Sequence, residues 1–143
     1  MTPPPRPQEL TTAVLRTADA LRRRIAATLS PHGITSQQYN VLRILRGVHP
    51  DSLPTLEVGA RMIEQTPGIT RLLDRLETAG LVRRERGGND RRLVECRITA
   101  AGRTLLARLD GPVDEINRQA VRGIPAQERS SLLQMLSQMG DEP

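Results

Sequence analysis

The chain has 143 residues and a net charge of +5, and every basic side chain is an arginine, because the sequence contains no lysine. Its length predicts one domain with a helical extension, and neither a membrane-spanning apolar run nor a charged-then-apolar leader is present, so a cytoplasmic protein is expected. A single cysteine, Cys96, excludes an internal disulfide and fits a reducing compartment.

The opening Met1–Pro7 is rich in proline and reads as a disordered or extended arm. A first helix is predicted from about Glu9 to Leu29, with Leu10, Val14, Ala18, Leu21, Ile25 and Leu29 forming one stripe. Arg22-Arg23-Arg24 charges its other faces and reads as a solvated or dimer-edge surface. Pro31 and Gly33 end the helix. A second helix runs from Ser36 to about Gly47. Thr35 and Gln38 form a capping box at its start, and Ile34 with Tyr39 form the hydrophobic staple. Tyr39 is therefore a packing residue, and Val41, Leu42, Ile44, Leu45 and Val48 supply core. His32 and His49 sit in loops without a partner at metal-binding spacing. Asp51–Pro54 is a linker with room for a short strand. A third helix follows from Thr55 to Ile63.

The stretch from Thr66 to Thr99 carries the chemistry. Thr66 is placed to cap a fourth helix and Pro67 fits its first position. Ile69, Leu72, Leu73 and Leu76 recur at helical spacing on one face, and Gly80 stops the helix. Pro67, Arg71, Asp74 and Thr78 lie opposite that stripe, with Thr70 and Arg75 on its flanks. A hairpin follows, with strands over Leu81–Arg86 and Arg92–Ile98 and a turn at Gly87-Gly88-Asn89-Asp90. Val94, Cys96 and Ile98 share one face, and Glu95 and Arg97 point the other way. Cys96 reads as a buried small hydrophobe rather than a reactive thiol. A short helix with arginines off its apolar face, followed by a basic hairpin, describes a winged helix-turn-helix. Its helix suits the major groove, and the hairpin arginines suit phosphates or the minor groove.

Thr99 caps a fifth long helix, about Ala100 to Val121, on which Leu105, Leu106, Leu109, Val113 and Ile116 are apolar. Pro112 after Gly111 predicts a kink. Gly123 ends this helix. Pro125 opens a sixth, to about Met139, with Leu132, Leu133, Met135, Leu136 and Met139 as its stripe. A small winged helix offers too few neighbours to bury the stripes of the first and last helices.

Charge is concentrated where a nucleic acid would need it. From Arg61 to Arg108 there are eleven arginines against six acids, and elsewhere ten against ten. The whole excess therefore falls on the fourth helix, the hairpin and their borders. Tyr39 is the only residue of the Phe, Tyr and Trp class. Single-strand and RRM-type binders stack bases on aromatic side chains, so duplex DNA is the better partner. An enzyme is not expected. Cys96 has no histidine or acid in a motif with it, and there is no phosphate-cradling glycine loop and no zinc spacing.

The run Thr66-Pro67-Gly68-Ile69-Thr70-Arg71-Leu72-Leu73-Asp74-Arg75-Leu76-Glu77 resembles the MarR family of transcriptional regulators. So do Gly80-Leu81-Val82-Arg83-Arg84, Asp90-Arg91-Arg92 and Ile98-Thr99-Ala100-Ala101-Gly102. With the flanking helices the likeness covers roughly Glu9 to Met139. Three positions depart from the family pattern: Gly59 replaces the usual leucine before Ala60, Glu64 replaces the usual glycine of the turn, and Gln65 follows where an apolar residue is common. The resemblance implies a mostly α fold with a small β wing, a winged helix-turn-helix plus a helical dimerisation region. The arm would be residues 1–7, the dimerisation region 8–34 and 100–143, and the DNA-binding domain 35–99.

By the same resemblance, the protein is a sequence-specific regulator, a repressor, binding a pseudo-palindromic operator as a homodimer. Thr66, Pro67, Gly68, Thr70 and Arg71 would enter the major groove, with Arg71 pairing to guanine and Arg75 to phosphate. Arg84 and Arg86 would hold the wing to the DNA backbone. Asp90 would orient Arg92, which enters the minor groove beside Arg91; the plainer reading of Asp90 is a turn former. The resemblance also implies release by a small aromatic or phenolic effector held between the two lobes, although no motif names its pocket. No cofactor or metal is expected. The alternative is a non-specific architectural DNA binder using the same basic surface.

Overall fold

A computed structural model describes residues 1–87, 90 and 92–141. Along these the chain forms α1 (Pro7–Leu29), α2 (Ser36–Val48), β1 (Leu53–Pro54), α3 (Thr55–Arg61) and α4 (Ile69–Thr78). Then come β2 (Val82–Arg86), β3 (Val94–Ile98), α5 (Ala100–Ala120) and α6 (Arg129–Gly140). Single 3-10 turns cover Ser30–His32 and Ala126–Glu128. None of the described helices is long and apolar enough to cross a membrane. Gly88 and Asn89 of the expected wing turn, and Arg91 after it, lie outside the described residues.

Helix α1 begins two residues earlier than the sequence suggests, because Pro7 can occupy its first turn without wasting a donor. The Glu9 carboxylate accepts the Arg6 backbone N–H at 2.9 Å. Helix α2 starts as expected. Gln38 N–H donates to the Thr35 hydroxyl at 3.2 Å and Thr35 N–H to the Gln38 side chain at 2.9 Å, with Ile34 and Tyr39 both buried beside them. The linker strand β1 joins the wing, giving a three-stranded antiparallel sheet in the order β1-β3-β2. Leu53 pairs with Cys96, and Val82 with Ile98.

The core lies where α2, α3, α4 and the sheet meet the C-terminal end of α1 and the first half of α5. Leu29, Leu42, Val58, Leu73, Leu76 and Leu106 are fully buried there. Two clips hold the long helices in place, one to α2 and one to each other. Arg46 on α2 donates to both oxygens of Asp110 on α5, at 2.9 and 3.0 Å. Arg24 on α1 donates to Gln119 on α5 at 2.6 Å. Helix α5 is a single helix with Pro112 inside it.

The turn between α3 and α4 explains how the chain does without the family's glycine. Helix α3 stops at Arg61, two residues short of expectation, and Met62 turns extended at φ −62° and ψ 139°. Among the described residues, no non-glycine has a positive φ, so Glu64 meets no steric penalty. Side chains then satisfy the exposed backbone groups. Asn40 accepts from Ile63 N–H at 2.8 Å, and Gln65 donates to the carbonyl of Met62 at 3.1 Å. Gly59 is not required by space: a Cβ there would meet Ile69 carbons at 3.7 Å or more, an ordinary contact. Gly59→Ala is expected to raise stability by about 1 kcal/mol, the helix-propensity difference, measured by urea unfolding. A loss would mean that α3 and α4 pack more tightly than this spacing allows.

Helix α6 contributes no buried residue, and Leu133, Met135, Leu136 and Met139 are exposed. Along α1 only Leu29 is buried, leaving Leu10 and Leu15 open.

Candidate nucleic-acid interface

Helix α4 presents an exposed polar face opposite the core. Its apolar side is settled by Leu73 and Leu76, both fully buried, with Ile69 and Leu72 packed against the core. Gly80 ends it at φ 76°, where Leu81 N–H reaches the Leu76 carbonyl and Gly80 N–H the Glu77 carbonyl, both at 2.9 Å. The start differs from expectation by two residues. Thr66-Pro67-Gly68 forms a turn ahead of the helix, Gly68 is the N-cap, and the Thr66 hydroxyl accepts from Gly68 N–H at 3.2 Å. A short hydroxyl side chain closing on the amide two residues ahead competes with helix entry, so the helix waits until Ile69.

This leaves Thr70, Arg71 and Arg75 exposed on α4. Among the described residues, neither Arg71 nor Arg75 has a carboxylate partner. Thr70 and Arg92 line one groove between α3, α4 and the wing, together with Leu56 and Leu93. At the wing, Asp90 accepts the Arg92 backbone N–H at 3.0 Å, and its Oδ1 lies 3.9 Å from Arg92 Nε. Asp90 is thus a turn former and also the near anion of Arg92, whose side chain is 96% exposed. Arg86 is exposed at the end of β2. Arg91 lies outside the described residues.

Arg84, expected to hold the wing to the DNA backbone, is partnered within the chain. Its guanidinium lies between two acids of α4, with Nη2 2.5 Å from Asp74 and 2.9 Å from Glu77, and its backbone N–H also donates to Glu77 at 2.9 Å. Its side chain is only 20% exposed. The hydrogen bonds from Arg84 hold the Glu77 carboxyl below its usual range. Arg84 therefore fastens the wing to α4. Residue parity was the available signal, because β2 alternates and Arg84 shares the inward face with buried Val82.

The arginine triplet of α1 is likewise partnered within the chain: Arg22 with Glu64, Arg23 with Asp19, and Arg24 with Gln119. Arg22 also lines a cleft of about 130 Å³ between α1, α2, α5 and the turn before α4. Ile25, Met62 and Val113 give this cleft apolar walls, and Tyr39 and Arg43 line it as well. Burial pushes the Tyr39 phenol above its ordinary range, so it stays protonated at neutral pH. The Arg43 guanidinium sits 5.9 Å from the Tyr39 ring centre and, among the described residues, has no carboxylate partner.

Cys96 is fully buried under the sheet, with its sulfur 3.6 Å from the Thr55 hydroxyl. Burial raises its pKa, against the smaller lowering from Thr55. The native thiol is expected to react with Ellman's reagent far more slowly than the urea-unfolded one. Rapid native reaction with loss of DNA binding would make it a redox sensor instead. Among the described residues there is no cluster of three or more His, Cys, Asp or Glu placed to hold a metal.

Residues 32–93 match the MarR family profile. The HTH-type transcriptional regulator TtmR of Methylorubrum extorquens is 34% identical, over 94% of this chain and 67% of its own length. The crystal structure of a MarR transcription factor from Planctomyces limnophilus is 35% identical with a TM-score of 0.72, covering 95% of this chain and 98% of that one. A mutant MarR from E. coli, crystallised with operator DNA, superposes with a TM-score of 0.82 at 24% identity, over 93% and 94% of the two chains, which shows the shared fold.

Proposed function

The chain belongs to the MarR family of DNA-binding transcriptional regulators, not to an enzyme class, and on that premise we propose that it is an operator-specific repressor acting as a homodimer. The observation that carries the reading is the contrast among its arginines. Arg84 is held by Asp74 and Glu77, while Arg71 and Arg75 stand exposed on α4 without a carboxylate. Thr66, Pro67, Gly68, Thr70 and Arg71 lead into the major groove, Arg71 reads guanine, and Arg75 and Arg86 take phosphates. Arg92, oriented by Asp90, reaches the minor groove beside Arg91. Residues 35–99 form the DNA-binding unit. The helices on either side, with the exposed apolar residues of α1 and α6, form the dimer surface. A dimer seated on a promoter blocks polymerase.

Two-fold symmetry sets the test. Selection of bound duplexes from genomic DNA, followed by titration at two salt concentrations, should return an inverted repeat with half-sites about one helical turn apart. Equal, steeply salt-dependent binding to every duplex would make the protein an architectural binder.

The cleft bounded by Arg22, Tyr39 and Arg43 suits a small aromatic or phenolic acid, with apolar walls for the ring and guanidinium groups for the carboxylate. Such an effector releases DNA only by preferring the geometry that does not bind it. Calorimetric titration with benzoate should show binding that Arg43→Gln abolishes; equal binding by both would move the effector elsewhere.

A further inference from the structure

The groove between α3, α4 and the wing combines apolar walls with guanidinium groups. Its volume is about 230 Å³. Leu56 on α3 and Leu93 on the wing both line it, and they are 80% and 39% exposed. Leu93 is fixed by its backbone: its N–H donates to the Asp90 carbonyl at 3.1 Å, and its carbonyl accepts Gly87 N–H at 2.8 Å. Arg84 lines the groove as well, and its ties to Asp74 and Glu77 hold the wing at a set distance from α4. Thr70 and Arg92 complete the polar part of the lining, and among the described residues no carboxylate lines it. Such a groove suits a polymer that alternates hydrocarbon faces with anionic links.

We propose that Leu56 and Leu93 contact DNA, seating the deoxyriboses of the one strand that runs between the major groove entered by α4 and the minor groove entered by Arg92. The inference rests on the DNA-facing role given to α4 and Arg92 above. A major groove and the minor groove beside it are separated by a single sugar–phosphate strand. A protein that reaches into both must straddle that strand, and the groove lined by Thr70 and Arg92 is the gap that receives it. The leucines cover the C–H faces of the sugars, and water leaves both surfaces. Every nucleotide offers the same sugar, so this contact adds affinity and fixes register without reading sequence.

The test pairs affinity with footprinting. Fluorescence anisotropy is read across a salt series, on a duplex recovered by the selection and on a random duplex. Leu56→Ala and Leu93→Ala should each weaken both duplexes alike, by about five- to tenfold, the scale of uncovering part of one leucine. The salt slope should not change, because no phosphate loses a cation. Leu56→Met keeps the apolar surface and should bind like wild type. Hydroxyl radicals cut DNA by taking hydrogens from exposed deoxyriboses. The wild type should protect a short run of sugars between the two grooves in each half-site. Each alanine variant, at equal occupancy, should reopen that run and keep the other protections.

The seat is overturned if either alanine variant binds like wild type, or if the salt slope falls as it would for a lost phosphate contact. A loss confined to the selected duplex also overturns it, and would make the leucines contacts to bases, such as the thymine methyl. Sugars left unprotected between the two grooves by the wild type overturn it as well. A wild type that binds no duplex overturns the DNA-facing reading and the seat with it; wild-type binding with both alanine variants unimpaired overturns the seat alone. Leu56→Ala should unfold in urea at the wild-type midpoint, because that side chain is 80% exposed, so its weaker binding would not be a loss of fold.

Discussion

Gly102→Ala is expected to destabilise the protein by about 2–3 kcal/mol, at the upper end of the cost of overpacking a well-filled site. A Cβ at this position would lie 2.5 Å from the Leu81 carbonyl oxygen and 2.7 Å from Ile98 Cγ1. Neither neighbour can yield freely. The Leu81 carbonyl accepts the Thr99 N–H at 3.1 Å, and Ile98 is buried at the end of β3. Gly102 N–H is also the donor that the Thr99 hydroxyl caps, at 3.1 Å. Relief would therefore require α5 to draw back from the wing. In urea unfolding the midpoint should fall with the slope unchanged, as for a loss of native stability alone. A change below about 0.5 kcal/mol, a typical surface substitution, would mean that α5 already stands farther from the sheet.

Arg71→Ala should weaken operator binding about 10- to 100-fold, matching the roughly 1–3 kcal/mol of discrimination in one bidentate guanine contact. It should leave a random duplex nearly unaffected. Arg75→Ala, one helical turn on, should weaken both duplexes alike and reduce the salt slope by about one. Both residues are exposed, so their removal should not disturb the core. Identical behaviour of the two variants on specific and random DNA would overturn the division between reading and anchoring.

Much of this fold was legible because its signals agreed at several levels. The box at Thr35 and Gln38, the stop at Gly80 and the cap at Thr99 each place a polar group where a helix end needs one, and each is made in the structure. What the sequence hides has a common physical form, in which a side chain finds its partner across space and not in its nearest sequence context. Arg84 reads as one more exposed arginine until strand parity sets it beside Val82 and between two α4 acids. Gln65, an odd residue where an apolar one is usual, serves to cap the carbonyls that end α3. The start of α4 was misplaced because Thr66 satisfies a turn amide instead of the helix itself. The cleft could not be found by motif, since its walls come from α1, α2, α5 and the turn before α4.

If the proposed dimer forms through α6, the folding of this helix is tied to protein concentration. A helix of 12 residues with no fully buried side chain has little to hold it in water, since segments of about 12–15 residues are marginal on their own. Docking on a second copy would supply the missing burial, so mass action would set how much of α6 is formed. Diluting the protein should then lower its helical signal before the winged unit melts. The C-terminal helix would thus act as a gauge of abundance, ordering the dimer surface only once enough protein has accumulated to occupy an operator.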